Sequence, residues 1–176
     1  MRIGCPKEIK AQEHRVGLTP AGVYALVRAG HEVYMEDNAG LASGFPNEEY
    51  VAEGAKILAT AREVYDIADM IVKVKEPLEP EYELMHEGQI MFTYLHLAPD
   101  PEQTQALLRK KVTGIAYETV QLDDRSLPLL SPMSEVAGRL SIQTGARLLE
   151  SNCGGRGVLL GGVTGVERAN VVIVGG

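Results

Sequence analysis

The feature that most constrains this chain is its alternation of short apolar runs, each closed by turn residues, with segments of helical period. Strands separated by helices pair in parallel, because each helical crossover returns the chain to the same end of the sheet. Strands are expected at 2–5, 32–36, 56–58, 70–75, 89–96 and 112–118. Ile71, Val72 and Val74, followed by Ile90, Met91 and Phe92, show the near-continuous apolar character of strands covered on both faces. The expected fold is therefore α/β, a doubly wound parallel sheet of Rossmann-like form. With 176 residues, 45% of them hydrophobic, the chain can bury one core and begin a second.

Helix punctuation supports this reading. Thr19 and Pro20 supply an N-cap followed by proline at the first helical position, and Gly30 is placed to close that helix in a left-handed conformation. Asn47 before Glu48 and Glu49 has the same grammar, and Asp100 with Gln103 is expected to form a full capping box. The segment 121–130 reads as a turn or hairpin, after which Ser131-Pro132 opens a long helix to about residue 149. Three parts are expected: a first domain at 1–130, a connecting helix and glycine-rich hairpin at 131–170, and the first strand of a further, truncated Rossmann domain at 171–176. In such a domain the first strand runs into a glycine-rich turn that receives a dinucleotide pyrophosphate. The ending VVIVGG stops after the second residue of that motif.

Several classes of function are disfavoured. The net charge is −7 and no cluster of Lys and Arg interleaves with aromatics, so a nucleic-acid partner is not expected. No apolar run approaches the roughly 20 residues that span a bilayer, and the opening MRIGCPKEIK lacks the apolar centre of a secretory signal. A soluble, cytoplasmic protein with no membrane partner is the expectation. Cys5 and Cys153 fall in no CxxC pair and have no histidine cluster beside them, so they read as reduced thiols and no metal site is expected. GGRG has neither the lysine nor the spacing of a P-loop, and HExxH and GxSxG are absent, which disfavours phosphoryl transfer and serine hydrolysis.

In open parallel sheets ligands bind beyond the carboxyl ends of the strands. Arg15 follows the first strand, Lys75 closes IVKVK, His96 closes QIMFTYLH, and Glu118 closes GIAYE. A planar guanidinium and a mobile ammonium could together hold the carboxylate of a small metabolite, and an imidazole can exchange protons near neutral pH. Each also has an ordinary reading: a solvated loop arginine, a strand-end lysine with a wet ammonium, a hydrogen-bonding histidine, a capping or surface carboxylate. Lys73 shares the strand face of Lys75, so spacing alone does not say which of the two meets a ligand.

Six blocks change that balance: MRIGCPKEIKAQEHRVGLTPAGV, KVKEPLEPEY, FTYLHLAPD, GIAYETVQ, LPLLSPMSEVAGR and GGRGVLLGGVTGVERANVVIVGG. In this order they resemble the alanine dehydrogenases of the alanine dehydrogenase and pyridine nucleotide transhydrogenase family. The resemblance implies reversible, NAD-dependent oxidative deamination of L-alanine to pyruvate and ammonium, in an enzyme that is typically a homohexamer. It makes 1–130 the substrate domain, Arg15 and Lys75 the residues that hold the substrate carboxylate and carbonyl oxygen, and His96 the catalytic acid/base. Met133 would line the substrate pocket and Ser134 would touch the cofactor. The family's catalytic aspartate and most of its NAD contacts would lie in the domain that follows. The alternatives are the nucleotide-binding subunit of a proton-translocating transhydrogenase, which resembles this chain less at KVKEP and FTYLHL, and a non-catalytic metabolite-binding or assembly module.

Overall fold

The computed structural model describes residues 1–174 and falls into two compact units, 1–120 and 121–176. In the first unit the order is β1 (Arg2–Cys5), α1 (Pro20–Arg28), β2 (Glu32–Glu36), α2 (Asn47–Ala52), β3 (Lys56–Leu58), α3 (Ala61–Ile67), β4 (Met70–Val72), α4 (Glu79–Tyr82), β5 (Ile90–Thr93), α5 (Pro101–Arg109) and β6 (Thr113–Ala116). The strands form one sheet in the order β3-β2-β1-β4-β5-β6, and every pair is parallel. The chain winds outward from β1 to β3, returns through α3, and winds outward again from β4 to β6. The winding reverses between β1 and β4, which makes their carboxyl ends the crevice in which a doubly wound sheet binds ligands. The doubly wound parallel sheet expected from the sequence is the one found.

The two faces of the sheet carry separate cores. Cys5, Val23, Val33, Met35, Tyr50 and Ala55 pack with α1 and α2, and Val64, Tyr65, Ile71, Met91, Ala106 and Leu107 pack with α3 and α5. Gly4 lets α3 lie tight on β1, since a Cβ there would come within 2.7 Å of Val64 and 2.8 Å of Ala68.

Local grammar is obeyed with some substitutions. Thr19 accepts from the Gly22 amide, Pro20 opens α1, and Gly30 at φ 86° closes it. Asn47 is not the cap of α2. It is the first helical residue, and its side-chain oxygen instead accepts from the Asn38 amide. Asp100 does cap α5, but Gln103 does not complete the box, because its amide is buried and donates to the Leu95 carbonyl. A reciprocal box forms at Thr60 and Glu63, opening a helix that the sequence reading did not single out.

Strands β4, β5 and β6 are shorter than expected. Beyond Val72 the amides of Val74 and Lys75 donate to the Glu8 carboxylate, and beyond Thr93 those of Leu95 and His96 donate to the Glu118 carboxylate. The chain turns into a 3-10 turn at Tyr117–Thr119 after β6.

At the end of β4, the Lys73 ammonium is fully buried, 2.7 Å from Glu81 and 3.3 Å from Glu8, whose side chains are each 3% exposed. Burial pushes the lysine down, but the two carboxylates outweigh it and hold the ammonium above its ordinary value.

In the second unit a turn closes with Leu122 donating to Ser126 and Arg125 donating to Leu122, and α6 (Ser131–Leu148) follows. The expected hairpin is replaced by a 3-10 turn at Ser151–Cys153, left-handed glycines at 154, 157, 162 and 165, and a single antiparallel bridge between Val163 and Val166. The expected strand at 171–176 is not formed over 171–174, and its last two residues lie outside the described ones. A strand requires a neighbouring backbone to bond, and no ladder is found beside Val172 and Val174, which are 88% and 96% exposed.

Removing the Lys73 charge should strand Glu8 and Glu81 in the interior. Lys73→Ala in the intact protein is expected to cost about 3–5 kcal/mol of stability by denaturant unfolding. A loss below about 1 kcal/mol, the range of exposed ion pairs, would show that the site is wet in solution.

Candidate active site

The carboxyl ends of β1, β4, β5 and β6 bring together most of the polar residues picked out in the sequence. Lys75 and His96 line one open cleft of about 580 Å³ with Lys10, Glu76 and Glu118. Arg15 sits on the loop after β1 at the border of this region: Lys75 lies close enough to stabilise the charge of its partner Glu13, and Tyr94 acts electrostatically on Arg15 itself.

Each of the three is placed by a specific set of contacts. Arg15 meets Glu13 at two points, Nε to Oε1 at 2.8 Å and Nη2 to Oε2 at 2.6 Å, and its own amide also donates to Oε1. This fork-to-fork geometry orients the guanidinium plane and pulls the Glu13 carboxyl down to about 2. Two residues further on, Gly17 lies against β4, where a Cβ would stand 2.7 Å from the Val72 carbonyl oxygen. The Arg15 loop is thereby pressed onto the end of the strand that leads to Lys75.

Lys75 has left the ladder but its backbone is held on both sides. Its amide donates to Glu8 at 3.2 Å, and its carbonyl accepts from the buried Thr93 hydroxyl at 2.8 Å. The two lysines, equivalent by spacing, are placed differently. Lys73 is interior and paired with two carboxylates, whereas Lys75 faces the cleft.

His96 stands at φ 47°, in the left-handed region that non-glycine residues seldom occupy. Its ring stacks on Tyr94 with centroids 5.9 Å apart and planes 13° from parallel. Tyr94 and Phe92 in turn meet the Tyr117 ring edge-on at 4.9 and 4.4 Å. Glu76, bonded to Lys10, is driven up by burial but held below its ordinary value by that hydrogen bond and by the Lys10 and His96 charges. Two cations, an imidazole and carboxylates in one polar cleft can hold an anionic ligand and exchange a proton with it.

Met133 and Ser134 stand in the second unit, on the first turn of α6, Met133 partly buried and Ser134 exposed. Glu8, Glu13 and Thr93 were not singled out in the sequence. Glu13 had a signal, a carboxylate two residues before a candidate arginine, whereas Glu8 and Thr93 act through backbone groups that no motif marks. Among the described residues no group of three or more His, Cys, Asp or Glu could hold a metal ion, and no helix is long and apolar enough to cross a membrane.

The family model for the alanine dehydrogenase/PNT N-terminal domain matches residues 4–137, and that for the C-terminal domain matches residues 141–176. The chain is 70% identical over its full length to alanine dehydrogenase of Methanococcus maripaludis, of which it covers 47%. Among solved structures, an L-alanine dehydrogenase matches 96% of the chain at a TM-score of 0.82 and 57% identity, with 46% of that protein covered. A transhydrogenase from Sinorhizobium meliloti matches 67% of the chain at 0.63 and 29% identity, with 34% of it covered. The chain thus spans about half the length of the curated relatives it matches, and over the N-terminal domain that holds the cleft and the start of the C-terminal one it belongs to the alanine dehydrogenase/PNT family.

Proposed function

We propose that this chain carries the substrate-binding half of an alanine dehydrogenase, which interconverts L-alanine, NAD+ and water with pyruvate, ammonium, NADH and a proton. The observation that carries this reading is the shared cleft of Lys75 and His96 at the switch point of the sheet, bordered by the Arg15 loop. The alanine dehydrogenase relative and solved structure match the chain at 70% and 57% identity, against 29% for the transhydrogenase, and this favours the dehydrogenase over the transhydrogenase reading.

Arg15 and Lys75 would hold the substrate carboxylate and carbonyl oxygen, orienting the α-carbon and neutralising charge as the carbonyl forms. Glu13 stays ionised down to about pH 2 and so keeps the Arg15 plane fixed throughout the range in which the enzyme would work. NAD, when bound, supplies the hydride acceptor. The exposed Ser134 hydroxyl, on the first turn of an 18-residue helix, fits a polar contact with the cofactor, and Met133 would wall the substrate pocket. The substrate iminium left by oxidation is attacked by water, and His96 takes the water proton. The same proton can then pass to the departing amine, and as ammonia leaves the carbinolamine hydroxyl gives up its own proton, so that pyruvate and ammonium are released. The family's catalytic aspartate and glycine-rich cofactor turn would be supplied from beyond these residues. A homohexamer working in the cytoplasm completes the reading implied by the family.

The full-length protein should reduce NAD with L-alanine, and metabolite binding without turnover would favour a non-catalytic module instead. His96→Asn is expected to cost roughly 10²-fold or more in turnover with little change in melting temperature. Because the neutral ring accepts the proton, kcat/KM for alanine should rise with pH and level off, with the opposite limb for pyruvate reduction. Near-normal turnover with an unchanged profile would remove His96 from the mechanism. Lys75→Ala and Arg15→Ala should each lower kcat/KM for pyruvate by roughly 10²-fold, the scale of a lost charge-assisted contact. An effect below about threefold for either, smaller than a neutral hydrogen bond is worth, would remove that residue from substrate binding.

A further inference from the structure

The backbones of Lys75 and His96 are satisfied in the same unusual way. Inside a parallel sheet each strand amide donates to a carbonyl of the neighbouring strand. At the ends of β4 and β5 a carboxylate takes over that duty for two amides in succession. Val74 and Lys75 donate to Glu8 Oε1 at 2.6 and 3.2 Å, and Leu95 and His96 donate to Glu118 at 3.3 and 2.8 Å. Each carboxylate comes from the segment leaving the adjacent strand: Glu8 follows β1, which pairs with β4, and Glu118 follows β6, which pairs with β5. It lets the backbone turn away from the sheet without leaving these amides unmet.

A carboxylate accepts from amides more strongly than a neutral carbonyl, and its two oxygens can serve both. At His96 this matters for shape, because a non-glycine residue at φ 47° is strained and persists only where its surroundings over-determine it. Released from Glu118, the residue would relax to an ordinary backbone conformation and carry its ring off the Tyr94 face. At Lys75 the bracket fixes the base of the side chain, while Thr93 fixes the carbonyl beyond it.

We propose that Glu118 and Glu8 are positioning residues, Glu118 setting the ring of His96 and Glu8 setting the stem of Lys75. The proposal rests on the functional reading above. Neither carboxylate is assigned a proton or a substrate contact.

In the full-length enzyme, Glu118→Ala is expected to lower kcat roughly tenfold or more while KM for alanine moves less than about threefold. Glu118→Gln, which retains one acceptor oxygen, should fall between that and the parent. The effect should vanish on a His96→Asn background and persist in full on a Lys75→Ala background, because only groups acting through one another are non-additive. Glu8→Ala leaves Lys73 paired with Glu81 at 2.7 Å, and its effect should vanish on a Lys75→Ala background. A carboxylate whose removal is equally damaging on its partner's mutant background acts through the general fold, and the proposal fails for it. A crystal structure of the Glu118→Ala enzyme supplies a readout independent of turnover. His96 leaving the left-handed region supports the bracket, and His96 holding its place overturns it. Normal turnover in His96→Asn would sink the functional reading instead, with the backbone readout still deciding the bracket.

Discussion

A lysine ammonium held out of water between two glutamates is the interaction on which the rest of this structure depends. Removing charges from water costs several kcal/mol each, so Lys73, Glu8 and Glu81 are tolerable inside only when all three are placed together. Lys73 follows β4, Glu8 follows β1, and Glu81 belongs to α4, so satisfying the charge fixes the segments that leave the switch point. Tyr65 carries the network into α3 by donating to Glu81 at 3.1 Å. The site side chains inherit this order. The Glu8 carboxylate that meets Lys73 also receives the amides of Val74 and Lys75, and so the group that neutralises the interior also sets the edge of the cleft.

The same contacts explain which parts of the fold were legible in the sequence. Strand β1, strand β2 and strand β3 match their expected bounds, since apolar content and the turn residues around them coincide with real ladders. The long helix α6 and the start of α1 were equally plain, because a proline at the helix start acts within one turn, joined in α1 by the Thr19 cap. The ends of β4 and β5 were not. An apolar run continues through Val74 and Leu95, but hydrogen bonding leaves the ladder where distant carboxylates intervene, and hydropathy does not register that change. Asn47 and Gln103 show the same limit from the other side. Both are residues of the right type at the right spacing, drawn away by a tertiary partner in Asn38 or Leu95.

At the site, the residues with distinctive side-chain chemistry were visible and the residues that hold them were not. Arg15, Lys75 and His96 stand out because strand-end position and residue type both point to a ligand. Periodicity placed Lys73 and Lys75 on one face and left them equivalent. They differ because the ladder stops between Val72 and Lys75, so one ammonium meets two buried carboxylates and the other meets the cleft. Glu118 was visible as a polar strand end, but its geometric role lies in receiving backbone amides from the next strand, a relation between segments that sequence spacing does not encode.

The close approach of Gly17 to the Val72 carbonyl has a mechanical consequence. The loop after β1 is clamped only two residues from Arg15, and a two-residue tether reaches at most about 7 Å even when fully extended. Such a loop cannot swing as a lid. Under the proposed function, Arg15 would then serve as a fixed stop for the substrate anion, while the adjustable reach would belong to the four-carbon stem of Lys75. Selection among acids of different length would then be a matter of how far that stem must stretch, with the guanidinium as the point from which length is measured.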